Sequence, residues 1–358
     1  MKYSKLTEFS SKIHRFFCDT TNQSVIFFAD GNLHIVKNLV EKKLKANFLG
    51  IGLNKVFYRL DTIIVTSIDD SSTFFIDNSA IKKHSKKWID YSQNHDLFLT
   101  RESVSSGQFL QNTQFFNANG DIFLWQREKT STGSIIGDKF LVQSNIFQPL
   151  FCHNISTGEV LWIYSFAGYP KTKNIRGKEE AVSVAGYTGV VDNKLWISLN
   201  TLQHLVLDID TGEQIALLGQ PYKYTKDYYS QKVMSGGQID EKQKKIISLG
   251  NSQYREINTD TFEATFIDLR EEFDKYGVSS VGDTRFDDDY IYFYDKIFFG
   301  EQPRNKVAVL DRKTLKVVWV HDFAQYGTFP MQMEKTDRHL FVLDSGGTLP
   351  IFERDEVA

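Results

Sequence analysis

The side chains that most often carry chemistry are few here and poorly grouped. Eight histidines stand at 14, 34, 84, 95, 153, 204, 321 and 339, and none falls into an HxH, HExxH or Cys-His spacing that would hold a metal. His34 and His204 each precede an Asx turn position by four residues, which suggests equivalent, half-exposed strand positions. Cys18 and Cys152 are the only cysteines, too few for a disulfide framework or a four-cysteine zinc site. Cys152 lies in an apolar run and reads as a small buried hydrophobe. Neither GxSxG nor a Walker loop is present. The run Asp287-Asp288-Asp289 could offer oxygen ligands to calcium, but it also fits the turn before the strand that follows. Asp208-x-Asp210-x-Gly212 begins like a calcium loop and lacks the later ligands. No catalytic residue, metal or cofactor is assigned.

The second kind of chemistry is recognition, and here tyrosine stands out. Eight of the 16 tyrosines fall in four loop segments: Tyr169, Tyr187, Tyr222, Tyr224, Tyr228, Tyr229, Tyr276 and Tyr326. Tyrosine brings rigid contact area and a hydroxyl, which suits an interface. Tyr276 and Tyr326 sit in matching FxxYG segments, Phe273–Gly277 and Phe323–Gly327, and so read as structural. Tyr222, Tyr224, Tyr228 and Tyr229 have no repeat counterpart, and Phe298 and Phe299 stand in an extra insertion. Tyr169 opens a basic run of Lys171, Lys173 and Arg176 that could meet an acidic partner. These ten residues are the candidate partner-binding set.

The elements that must position them are strands. Short runs rich in β-branched and aromatic residues recur, among them Thr62–Ser67, Lys139–Val142, Leu195–Leu199, Lys245–Leu249 and Tyr290–Tyr294. Helical periodicity is confined to Leu6–Phe17 and Leu269–Lys275. The fold class is all-β. Four segments superpose without gaps: NISTGEVLW from Asn154, DIDTGEQIA from Asp208, NTDTFEATF from Asn258 and DRKTLKVVW from Asp311. Their threonines, Thr157, Thr211, Thr261 and Thr314, recur every 50 to 54 residues. The leading Asp or Asn can accept hydrogen bonds from backbone amides two residues on, and Gly158 and Gly212 supply positive φ. An Asp shortly before a strand recurs with a similar period at Asp138, Asp192, Asp240, Asp288 and Asp337. Each unit therefore reads as four short antiparallel strands, one propeller blade.

The strand followed by D-x-x-T-G-x-x-x-x-W resembles the repeat of quinoprotein-like β-propellers, the pyrroloquinoline-quinone-type superfamily. The resemblance is good over residues 139–322 and weak elsewhere. It implies a single β-propeller whose termini close the ring in one blade. Third-strand candidates number eight, near Asn38, Asp77, Asn117, Asn154, Asp208, Asn258, Asp311 and in TLPIFER at 348–354. Merging the first with the last gives seven blades, and leaving them separate gives eight; seven is the expectation. Residues 1–23 form an N-terminal segment, a closing strand or short helix, and 24–358 the propeller. Quinone-dependent relatives typically carry adjacent cysteines, which this chain lacks, so that activity and its cofactor are not carried over.

Composition bounds the partner. The chain has 358 residues, 42 Lys plus Arg against 45 Asp plus Glu, and a formal net charge of −3. That balance argues against a general nucleic-acid binder. No apolar run is long enough to span a membrane, and residues 1–23 lack the apolar core of a secretory signal. The expectation is a cytoplasmic monomer, with the sequons at Asn22 and Asn154 as chance matches. Its reading is a non-catalytic binder of one protein partner, of an inhibitor or immunity type. The alternative is a hydrolase or lyase with its site at the channel mouth, assembled across blades.

Overall fold

The computed structural model describes the chain except residues 1–2, 10–11, 20–23, 31, 38–39, 46–52, 60–61, 68–71, 78–80, 85–87, 93, 104–110, 118–121, 131, 144–148, 174–177, 222–231, 251, 279–280, 296–304 and 356–358. Among the described residues, eight four-stranded antiparallel sheets account for nearly all regular structure. In chain order, sheets 1 to 7 span residues 16–45, 53–84, 90–130, 132–164, 184–218, 238–268 and 281–322. Each of the seven is a simple up-and-down meander. Sheet 8 takes three strands from 330–354 and its fourth from Tyr3–Phe9, which pairs antiparallel with Leu349–Arg354.

The count therefore settles on eight rather than seven. The two ends do share a sheet, to which, among the described residues, the N-terminal region lends the one strand Tyr3–Phe9. The unit near Asn38 keeps four strands of its own, from Phe16–Asp19 to Val40–Lys45. Among the described residues of Leu6–Phe17 there is no helix; that stretch holds the end of one strand and the start of another. The expected helix near 269–275 is present as Arg270–Asp274. Its Phe273 is fully buried and the matching Phe323 is 1% exposed, whereas Tyr276 and Tyr326 are largely exposed. The phenylalanine, not the tyrosine, is the packing residue of that repeated segment.

The chain divides into two compact units. One comprises 1–83, 249–254 and 267–358, with sheets 1, 2, 7 and 8; the other comprises 84–248 and 255–266, with sheets 3, 4, 5 and most of sheet 6. In each unit the first strands of successive sheets lie side by side. They are Val281–Phe286, Pro330–Lys335, Phe16–Asp19 and Leu53–Arg59 in the former, and Asp90–Ser92, Thr132–Ile136, Val184–Val191 and Gln238–Asp240 in the latter.

The repeated turn joins the third and fourth strands, and its geometry follows from its residues. Asn154 Oδ1 accepts from the amides of Ser156 and Thr157 at 2.9 and 3.0 Å. Asp208, Asn258 and Asp311 repeat the pattern on residues two and three further on. The fifth residue of each turn is left-handed: Gly158, Gly212, Phe262 and Leu315 have φ of 76°, 73°, 62° and 52°. The residue after the Asx also donates its amide to the turn between strands one and two, as Ile155 does to Asp138 O and Ile209 to Asn193 O, both at 3.0 Å. These two turns are thus tied together at one end of each sheet.

The closing tryptophan locks one sheet to the next. Trp125, in sheet 3, donates its indole N–H to Ile155 O at 2.8 Å, and Trp162, in sheet 4, donates to Ile209 O at 2.9 Å. Each ring lies on the turn glycine of the following sheet. A Cβ added at Gly158 would stand 2.6 Å from Trp125, and one at Gly212 would stand 2.5 Å from Trp162. Sheet 5 closes on Ala216 instead of tryptophan, and the next turn carries Phe262 where glycine stood; both pack into one cluster with Trp196 and Ile257. Bulk has moved from one partner of the pair to the other, at the cost of holding a phenylalanine at positive φ.

Candidate functional site

Strand topology puts the opposite end of each sheet to different use. There the connection between strands two and three meets the connection leading to the next sheet. In sheets 4 and 5 three such segments converge. Ser165–Thr172 follows Val160–Tyr164, Thr201–Gln203 links Lys194–Leu199 to His204–Asp208, and Gly219–Pro221 follows Gln214–Leu218. They enclose two adjoining depressions. The larger, about 340 Å³, is lined by Tyr169, Pro170, Val182, Thr201, Gln203 and Leu217 together with 219–221. The smaller, about 240 Å³, is lined by Pro149, Ser165, Phe166, Tyr169, Lys171 and Val182.

Tyr169 belongs to both. Its amide donates to Phe166 O at 3.0 Å, closing a tight turn. Its hydroxyl lies 2.7 Å from Tyr164 Oη and 3.1 Å from Gln214 Oε1, and Tyr164 donates to Gln214 Oε1 at 2.6 Å. Phe166 packs edge-on against both tyrosine rings, with centroids 5.3 and 5.7 Å away. Burial, then the Tyr169 hydroxyl, pushes the Tyr164 phenol well above its usual range, so that phenol is neutral. The Tyr169 ring is fixed before any ligand arrives, which saves ordering entropy on binding.

The floor of the larger depression is equally well held. Gln203, 4% exposed, donates its side-chain amide to Gly219 O at 2.9 Å. The segment 232–237 docks on the Thr201–Gln203 turn: Met234 and Ser235 donate their amides to Leu202 O at 3.1 and 3.0 Å. Arg255, only 3% exposed, gives its guanidinium to the carbonyls of Val233, Ser235 and Gly236. Burial pushes that guanidinium down to about 10, still cationic at neutral pH. His204 adds a contact from Nε2 to Gly236 O at 3.2 Å, and burial with the Arg255 charge pushes it down to about 4, so it is neutral. His204 and His34 are 0% and 3% exposed, not half-exposed as expected, because each ring finds backbone carbonyl partners inside its sheet.

The sequence-predicted residues divide as follows. Tyr169 and Lys171 meet at the smaller depression, and Lys173 follows in the short strand Thr172–Lys173, which pairs with Glu179–Glu180. Arg176, Tyr222, Tyr224, Tyr228, Tyr229, Phe298 and Phe299 lie outside the described residues. Val182, Thr201, Gln203 and Leu217 were not anticipated. Each is a single residue of ordinary type in a separate segment, and only Leu217, an exposed leucine, carries any surface signal.

Two carboxylate clusters outside this end are engaged in local structure. Asp287 accepts from the amides of Asp289 and Tyr290, takes the Tyr292 hydroxyl at 2.7 Å and faces Lys335 at 3.1 Å, and so serves the turn before the strand that follows. On first strands of the other unit, Arg285 is held bidentately by Glu334 at 2.6 and 2.8 Å and reaches Asp283 at 3.0 Å. Among the described residues no three His, Cys, Asp or Glu side chains come together as a metal site. Among them also, no helix is long and apolar enough to cross a membrane.

No protein-family model matches the chain, and no curated protein matches it by sequence. Solved structures do match. The C-terminal WD40 domain of Sif2 superposes with a TM-score of 0.63 at 11% identity, over 99% of this chain and 98% of that one. Sqt1 of Saccharomyces cerevisiae gives 0.61 at 12% identity, over 99% and 100%. BamB from Moraxella catarrhalis gives 0.57 at 11%, over 100% and 99%. Sqt1 of Chaetomium thermophilum, solved bound to the N-terminus of ribosomal protein L10, gives 0.58 at 11%, over 99% and 100%. At these identities the likeness shows the fold: a β-propeller of eight four-stranded blades. It extends to WD40 propellers as well as to BamB, so the quinoprotein-type resemblance narrows to the propeller fold in general.

Proposed function

We propose that this propeller binds a protein partner, and that the loop end of sheets 4 and 5 around Tyr169 is part of the contact surface. The observation that carries the reading is a pair of adjoining, largely apolar depressions divided by a tyrosine whose position is fixed by Tyr164 and Gln214. Rigid aromatic anchors in small pockets are where binding energy concentrates in protein interfaces. That a fold neighbour was solved with a peptide of a ribosomal protein adds support by analogy.

A dedicated binder of a single protein, of the inhibitor or immunity kind, is the form of this reading that irregular loops favour. Both cysteines are free, with thiols pushed up to about 12 mainly by burial, which suits a reducing compartment such as the cytoplasm. The test is affinity purification from the native host with mass spectrometry, using wild type beside Leu217→Arg and Lys171→Glu. Loss of one protein from both variants, at unchanged thermal stability, is the expected result. Equal recovery with all three proteins would refute the site. Tyr228→Ala with Tyr229→Ala extends the test to the tyrosine cluster; we expect weaker capture without a fall in melting temperature.

A further inference from the structure

Beneath the larger depression, Arg255 is a residue that stability alone does not call for. Its guanidinium is buried, no carboxylate pairs with it among the described residues, and its Nε has no partner there. A buried charge is costly to keep, and well-packed apolar residues often replace buried ionic groups with no loss of stability. What Arg255 does hold is narrow. Its described hydrogen bonds all go to the carbonyls of Val233, Ser235 and Gly236, a segment that is itself partly exposed. That segment supports the depression. Met234, in its middle, packs so closely on Gly219 that a Cβ added there would stand 2.5 Å from Met234 Cγ. Met234 and Ser235 donate to the carbonyl of Leu202, a residue held left-handed at a φ of 60°. The Gly236 amide donates to Ser198 Oγ at 2.9 Å. Gly219, with Thr201 and Gln203 on either side of Leu202, lines the depression. A line of contacts therefore runs from Arg255 through 233–236 to two of its walls.

We propose that Arg255 is a positioning residue for partner binding: it holds 233–236 in place and, through Met234 and Leu202, fixes two walls of the larger depression without touching the partner. The inference rests on the protein-binding reading above and adds the residue that sets the geometry of that surface. The buried charge is then kept for local order rather than for global stability. Without the guanidinium, 233–236 can move outward and its carbonyls meet water. The fold loses little, while the depression loses the fixed walls that spare a partner the cost of ordering them.

Arg255→Met and Arg255→Lys test it in the full chain, by thermal denaturation, by amide hydrogen exchange read by NMR, and by recovery of the host protein that wild type captures and Leu217→Arg does not. Arg255→Met should melt with wild type. Its Met234, Ser235 and Gly236 amides should exchange at least about 10-fold faster, as loss of a hydrogen bond from a charged donor implies, while the amides of Leu205–Leu207 in the strand beneath keep their rate. Capture by Arg255→Met should fall toward that of Leu217→Arg. Arg255→Lys keeps the charge and a donor, and should recover part of both the protection and the capture. Unchanged exchange at 234–236 in Arg255→Met would overturn the proposal. So would faster exchange throughout the sheet with a lower melting temperature, which would make Arg255 a support of the fold as a whole. Full capture by Arg255→Met beside impaired Leu217→Arg would also overturn it and leave the protein-binding reading standing. If Leu217→Arg captures as well as wild type, that reading falls and this one with it.

Discussion

The two ends of sheets 4 and 5 are built from the same strands and obey different rules. At one end, each turn repeats the last: an Asx side chain caps two amides, a tryptophan lies on a glycine, and a lysine reaches an aspartate. Lys139 meets Asp210 at 2.9 Å and Lys194 meets Asp260 at 3.1 Å, equivalent pairs one sheet apart. At the other end the described residues of the two sheets share no such repeated motif. Tyr169, Thr201 and Leu217 each come from a different kind of connection. Repetition holds the sheets together, and departure from repetition leaves a surface particular to these two sheets.

The strongest way to break this contrast is to attack the repeated end. Trp162→Ala should cost roughly 3–5 kcal/mol in chemical denaturation, as large core truncations do. It would remove a 7%-exposed ring and its bond to Ile209 O, yet leave the Tyr169 surface chemically intact. A loss below about 1 kcal/mol would show that the ring does not lock the sheets. Gly212→Phe should be severely destabilising alone, because its side chain would strike Trp162. In the Trp162→Ala background it should restore part of the loss, reproducing the Ala216 and Phe262 pair; additive losses would refute the exchange of bulk.

Next in size is the buried histidine beneath the irregular end. The ordinary imidazole value is 6.5 and His204 in the fold is held near 4, chiefly by burial. As pH falls, the unfolded chain takes the proton first. The stability linked to neutral His204 is therefore full above about 6.5 and drains away between 6.5 and 4. His204→Gln should flatten that part of the stability–pH curve; an unchanged slope would mean that another group sets it.

Smaller effects belong to the turns themselves. Asn154→Ala leaves two amides without their acceptor and should cost about 1 kcal/mol. Asp208 carries the same turn as a carboxylate, held below its ordinary 3.8 by hydrogen bonds, the Thr211 amide first. Its contribution is full above about pH 4 and lost as pH falls further, so Asp208→Asn should remove that acid sensitivity while keeping the turn. The smallest change is expected from Lys194→Ala, at most about 0.5 kcal/mol, because exposed ion pairs are weak.

This contrast also explains what could be read from the chain. The strands Thr62–Ser67, Lys139–Gln143 and Tyr290–Asp295 are each the second of their sheet, where both neighbours are strands and the pattern is most apolar. The Asx turns announce themselves because hydrogen bonding to one's own backbone needs only neighbours in sequence. The expectation of seven blades failed at sheet 1, which keeps four strands of its own from Phe16–Asp19 to Val40–Lys45. The site was illegible for the opposite reason. Thr201 and Leu217 gain meaning only from residues that the fold brings near them, and Arg255, which secures 233–236, looks in sequence like any strand arginine.

The pairing of Tyr3–Phe9 with Leu349–Arg354 sets an order of events in synthesis. The strand made first must wait for almost the whole chain before its hydrogen-bonding edge has a partner. Until then Tyr3–Phe9 stays an unclaimed edge, and Tyr3, whose carbonyl accepts from Trp319 at 3.2 Å and whose hydroxyl meets Tyr292 at 3.1 Å, cannot take its place. Sheets 3, 4 and 5 involve only strands close in sequence and can form while translation continues. Sheet 8 is completed last, and a ribosome that stalls before residue 349 leaves a chain able to fold its middle but not to join its ends.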